Sequence, residues 1–123
     1  MVKVFIQSTN KYPKDQKTIK KSITETLIKN RVGGNIEISV AIVGEVQMDL
    51  LSKKYLKDDL AHEVLSFPLE ESESPDGVLR LGDIILCWPQ VVLAAKRDGV
   101  KVEDEVYKLT AHSMEHLLGK HHE

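Results

Sequence analysis

The stretch Ile36-Glu37-Ile38-Ser39-Val40-Ala41-Ile42 alternates large apolar residues with polar or small ones without a break. Successive side chains of a β-strand point to opposite faces, so this segment has one continuous apolar face, the mark of a half-buried strand. Reading outward towards the N-terminus, Gly33-Gly34 separates it from residues 14 to 30. There Ile19, Ile23 and Leu27 recur at i, i+4 and i+8, the spacing of an amphipathic helix. Val2, Val4 and Ile6 alternate before that as a short strand. Reading towards the C-terminus, Gly44 marks a turn, and Met48, Leu51 and Tyr55 repeat at i, i+3 and i+7 as on a second helix. Val64-Leu65-Ser66-Phe67 reads as a short strand stopped by Pro68. Arg80 to Trp88 is a further strand, and Pro89 suits the first turn of a helix over about 90–97 that Gly99 ends. A last helix starts at Val102 or Glu103 and runs to Leu118, with Gly119 as its terminator. Its expected buried stripe is Val102, Val106, Leu109, Ser113 and Leu117.

The order β-α-β-α-β-β-α-α predicts an α/β (α+β) layer fold. We expect a single domain over residues 1–123, with a mixed sheet of about four strands packed with about four to five helices. A chain of 123 residues is long enough for a real core, and its 41% apolar and 29% charged residues are those of an ordinary globular protein. The formal net charge of −2 announces no polyanion binder from the whole chain. No apolar run approaches the roughly 20 residues that span a bilayer, and the N-terminus lacks a secretory signal pattern. No membrane partner and a cytoplasmic location are therefore expected. The one cysteine, Cys87, lies in an apolar run and reads as a reduced core thiol. The acidic, polar segment 70–77 reads as a loop within the sheet.

The chemistry is concentrated near the C-terminus. Four of the five histidines fall in His112-Ser-Met-Glu-His116-Leu-Leu-Gly-Lys-His121-His122. On a helix, His112 and His116 differ by only about 40° in direction and lie about one turn apart, so both imidazoles can serve one ion. A turn at Gly119 would bring back either His121 or His122, which compete for a third position because neighbouring residues point apart. Three neutral imidazoles with a free fourth position form the layout of a catalytic zinc-type site. We expect one divalent transition metal, Zn2+ before nickel, copper or iron. Such an ion lowers the pKa of a bound water and favours hydrolysis of a carbonyl or phosphodiester. His112-Ser-Met-Glu115-His116 also fits H-x-x-E-H, an inverted zinc-peptidase pattern with the glutamate as general base. That reading lacks the carboxylate ligand such enzymes take from a later helix.

The pattern His112-x-x-x-His116-Leu-Leu-Gly119-x-x-His122 resembles the H-G-x-x-H-L-x-G-Y-D-H signature of the YbeY endoribonuclease family. Tyr55 through Pro68 (Tyr-Leu-Lys-Asp-Asp-Leu-Ala-His-Glu-Val-Leu-Ser-Phe-Pro) is similar to that family's Y-R-x-x-D-x-x-T-D-V-L-S-F-P. Leu81-Gly82-Asp83-Ile84-Ile85-Leu86 is similar to its L-G-D-I-v-I strand. The likeness covers residues 36 to 122. It implies a single-domain metalloprotein whose metal ligands are His112, His116 and His122. It also implies cleavage of single-stranded RNA in maturation of the small-subunit ribosomal RNA 3′ end, ribosome quality control and late assembly. The partners implied are ribosomal RNA, the small ribosomal subunit and assembly factors, with no DNA.

The chain departs from the family at several positions. Leu56 stands where the family has an arginine, whose loss would remove a phosphate-facing charge. Lys57 is adjacent, and Lys53 and Lys54 are other stand-ins. His62-Glu63 replaces Thr-Asp, and His62 is a candidate substrate contact. Ser113, Lys120 and His121 replace the motif's Gly, Tyr and Asp, and the last change removes an acceptor beside the metal ligands. Glu115, about 60° from His112 round the helix, is a candidate general base. His121 is a candidate donor to the leaving oxygen, and Lys120 a candidate phosphate contact. Lys11, Lys14, Lys17, Lys20, Lys21, Lys29 and Arg31 form either a basic RNA-facing surface or an ordinary solvated helix face. Aromatic residues, at 5%, are too few for strong base-by-base reading. The rival classes are a metal-dependent hydrolase of another substrate and a non-catalytic assembly factor.

Overall fold

The computed structural model describes residues 1–69 and 75–121, without the side chains of residues 120 and 121. Within them lie four strands, β1 (Val2–Ser8), β2 (Asn35–Val43), β3 (Val64–Pro68) and β4 (Val78–Cys87), and four α-helices, α1 (Gln16–Lys29), α2 (Glu45–Leu51), α3 (Trp88–Asp98) and α4 (Val102–His121). The strands form one mixed sheet in the order β1-β2-β4-β3. β1 and β4 flank β2 in parallel, and β3 closes the sheet antiparallel to β4. The architecture is the α+β layer fold expected from the element order.

Strand β2 is central, which is why its alternation is so clean. Ile36, Ile38, Val40 and Ile42 are each about 1% exposed and face the main core. Ile19, Ile23 and Leu27 of α1 and Val106, Leu109, Met114, Leu117 and Leu118 of α4 cover that face. A smaller cluster on the opposite face joins Val43, Leu65 and Cys87 to Met48 of α2. Cys87 is a buried free thiol, as expected, and burial pushes it above the ordinary thiol range.

A bulge interrupts the β2–β4 pairing between Glu37 and Ser39, opposite Leu81-Gly82. Gly82 has φ +141°, and a side chain there would run into the Phe67 carbonyl oxygen and lie 2.9 Å from Pro68 Cα. Only glycine lets β3 approach this closely.

The structure corrects three local expectations. The strand ends at Cys87, and Trp88 opens α3, with Pro89 in its first turn. The second helix changes character at Ser52: residues Ser52–Leu56 form a π-helical turn that ends on Lys57 with φ 59°. The wider turn shifts the register, so Tyr55 leaves the buried stripe, is 53% exposed, and lies 5.0 Å from Phe67 between ring centroids. Gly119 is not a terminator. Helix α4 runs through it to His121; among the described residues nothing lies within 4 Å of the place a side chain would take, and an exposed helical glycine costs only about 1 kcal/mol. The expected α4 stripe is otherwise present, and Glu105, Thr110, Met114 and Leu118 widen it. Of the acidic loop, residues 70–74 lie outside the described residues, and Asp76 pairs with Arg80 at 2.9 Å.

Candidate metal centre

Helix α4 packs on α1 with one face and meets β3 and α3 with others. Its apolar stripe orients it, and the orientation carries His112 and His116 to an exposed side one turn apart. The first two expected ligands therefore share a helix, as their spacing required.

The nearest partner of this pair comes from the sheet. Ser66 Oγ lies 2.6 Å from His116 Nδ1. Ser66 alternates with Leu65 and Phe67 along β3, so it shares the α4-facing side of the sheet with Val64. When Nδ1–H donates to the hydroxyl oxygen, Nε2 carries the lone pair a metal requires. This is the outer partner that a ligating imidazole uses to hold its tautomer and ring plane.

Two neutral imidazoles, one steadied by a hydroxyl, suit a borderline transition metal. Among the described residues no group of three His, Cys, Asp or Glu side chains is placed to hold an ion. The third expected ligand, His122, lies outside the described residues, and the rival, His121, has its backbone in α4 and its side chain outside them. The Lys120 side chain is outside them too.

Glu115 does not stand free beside the histidines. Its carboxylate accepts from Asn30 Nδ2 at 2.7 Å, tying α4 to the C-terminal end of α1. His62 lies just before β3, where its Nε2 is 3.0 Å from Asp58 Oδ1 and 3.2 Å from Oδ2. The hydrogen bond from His62 holds the Asp58 carboxyl below the ordinary carboxylate value, and the Leu60 N–H adds to it. This knot ties the segment after the π-turn to the start of β3. Lys57 is exposed in its left-handed cap. Lys53 lies 4.0 Å from Asp59, the Lys54 ammonium lies over the Tyr55 ring, and Leu56 is exposed.

Ser66, Asp58 and Asn30 were not legible as site residues. Ser66 and Asn30 act through partners on α4 and Asp58 through His62 four residues on, and only the L-S-F-P block hinted at Ser66.

Comparison with known proteins shows the family. The family described as Endoribonuclease YbeY matches residues 4–123. The chain is 38% identical to the Endoribonuclease YbeY of Finegoldia magna over 85% of this chain and 67% of that protein. It is 34% identical to the protein of that name from Roseiflexus castenholzii over 89% and 71%. A Thermoanaerobacter relative with the same name is 35% identical over 88% and 75%. The solution structure of a Thermotoga maritima protein superposes with a TM-score of 0.64 at 24% identity, covering 93% of this chain and 71% of that one, a likeness of fold. A chain with these relatives, this sheet and this histidine helix belongs to the YbeY endoribonuclease family.

Proposed function

We propose that this protein is a metal-dependent endoribonuclease that cuts single-stranded RNA. The relatives are named endoribonucleases, and the observation that carries the chemistry is His112 and His116 one turn apart on α4, with His116 seated on Ser66. In this reading His112, His116 and His122 hold one divalent transition metal, zinc by donor chemistry. When bound, the ion supplies Lewis-acid stabilisation of a phosphoryl group and a more acidic water.

The chain's own residues do the remaining work. Ser66 keeps the His116 ring in the ligating tautomer. Lys120 and Lys57 offer charge to the RNA phosphates, and His121 offers a proton to the leaving oxygen. Glu115 serves first as the tether to Asn30, and a base role requires it to leave that bond. His62, held by Asp58, presents its remaining ring nitrogen to substrate. The substrate we assign is ribosomal RNA, at the 3′ end of the small-subunit RNA, acted on in the cytoplasm during ribosome assembly and quality control. Among the described residues, no helix is long and apolar enough to cross a membrane.

The test is metal analysis of untagged protein, followed by incubation with labelled single-stranded RNA and with casein, beside a His116→Ala control. About one equivalent of metal and RNA cleavage that vanishes in the control support the proposal. Cleavage of casein instead points to the peptidase reading. Intact RNA with wild type, but cut RNA with Leu56→Arg, points to an assembly factor that has lost turnover.

A further inference from the structure

The first 34 residues carry eight Lys and Arg against two Asp and Glu, in a chain whose formal net charge is −2. The fold keeps that charge together. Lys11 and Lys14 lie between β1 and α1, Lys17, Lys20 and Lys21 on the exposed side of α1, Lys29 and Arg31 at its end, and Lys3 on the edge strand β1. All eight are exposed. None of them makes an ion pair among the described residues, whereas Arg80, Arg97, Lys101 and Lys108 all do. The two acids of this stretch are occupied: Asp15 caps α1 by accepting from the Thr18 N–H, and Glu25 accepts from the Tyr107 hydroxyl at 2.6 Å.

The two sides of α1 differ. Lys17 and Lys21 share a cleft with Glu103 and Asp104 of α4, which offset them. On the other side, Val2, Lys3, Val4, Phe5, Lys20 and Thr24 line an open groove of about 350 Å³ that contains no acid. Phe5, which also borders this groove, is 51% exposed, on a strand that is outermost in the sheet among the described residues.

We propose that the groove between β1 and α1 is a second RNA-contact surface that engages the strand away from the cleavage site. This inference rests on the reading of the protein as an RNA-cutting enzyme. Phosphates on Lys3 and Lys20 release counterions, and the Phe5 ring offers a face on which any base stacks. A sequence-tolerant, salt-sensitive grip follows. Helix α1 then leads to the histidines. The Ser22 hydroxyl donates to the Tyr107 carbonyl and Asn30 donates to Glu115, so α1 and α4 run side by side in the same direction. From Lys20 to Asn30 is ten residues, about 15 Å of helix, and Glu115 precedes His116. A long strand reaches both places, and a very short one reaches only the histidines.

The test compares wild type with the double variant Lys3→Gln, Lys20→Gln and with Phe5→Ala. The probes are labelled single-stranded RNAs of about 16 and about four nucleotides, read by anisotropy across a salt series and by cleavage kinetics. For the long RNA, the double variant is expected to bind at least tenfold more weakly. The slope of log K against log salt should fall by about 1.4, two contacts at roughly 0.7 each. Phe5→Ala should weaken it about tenfold. KM should rise with kcat unchanged, and cleavage of the short RNA should not change. If wild type cuts RNA and the double variant binds the long strand as wild type does, the groove is no RNA surface and the nuclease reading stands. If wild type binds no RNA, both fall. Binding to anionic lipid vesicles in place of RNA would assign the cations to a membrane and overturn the inference.

Discussion

Ser66 Oγ and His116 Nδ1 lie 2.6 Å apart, joining strand β3 to helix α4 across 50 residues of sequence. The bond matters through what it leaves on the opposite ring nitrogen. Ser66→Ala removes the partner of Nδ1, so the ring can flip or change tautomer. Metal affinity, measured by chelator competition, should fall about 10- to 100-fold. Thermal stability of the metal-free protein should change by about 1 kcal/mol or less, because the pair is exposed. Equal metal affinity in both proteins would remove Ser66 from the site.

The histidines themselves separate two placements of the third ligand. His112→Ala and His116→Ala should each lose bound metal in elemental analysis. If His122 completes the set, His122→Ala should match them and His121→Ala should retain metal. The reverse pattern would move the third ligand to His121, whose backbone continues α4.

Asp58 and His62 give a pH-dependent prediction. The His62 hydrogen bond holds the folded Asp58 carboxyl below its ordinary value of 3.8. A depressed carboxyl pKa contributes stability that is present above the unfolded value and lost as pH falls through the folded one. Wild type should therefore exceed His62→Asn in melting temperature near neutral pH, and the gap should shrink below about pH 4. Carbon-detected NMR titration of Asp58 should show its pKa rising in the variant. An unchanged Asp58 titration would mean that the pair does not persist in solution.

Gly82 should tolerate no side chain. In Gly82→Ala the new carbon meets Phe67 and Pro68 at a φ that L-residues rarely adopt. A loss of about 2–4 kcal/mol in chemical denaturation is expected. Because β3 carries Ser66, metal affinity should fall with it.

Asn30→Ala cuts the tie to Glu115. If Glu115 is only a tether, stability should fall by about 1 kcal/mol and kcat should hold. A rise in kcat would show that the carboxylate, once released, joins the chemistry.

Local periodicity carried most of the secondary structure. The alternation from Ile36 to Ile42 and the spacing of Ile19, Ile23 and Leu27 were sufficient because both sit against one core, where burial and period agree. The errors arose where a local rule met a competing geometry. Met48, Leu51 and Tyr55 fit a regular helix, but the π-turn at Ser52–Leu56 rotated Tyr55 onto Phe67. Gly119 resembled a stop signal, yet the helix continued through it.

By itself the sequence determined the element types, the α+β class and the His112–His116 pair, since four residues of helix place two side chains together whatever surrounds them. The tertiary structure alone decided the order β1-β2-β4-β3, the Ser66 partner of His116, the Asn30 hold on Glu115 and the gathering of lysines beside Phe5. The physical reason is range. Backbone periodicity acts over one or two turns, whereas these contacts join residues far apart in the chain, and only the packing of helices on a particular strand order brings them within reach.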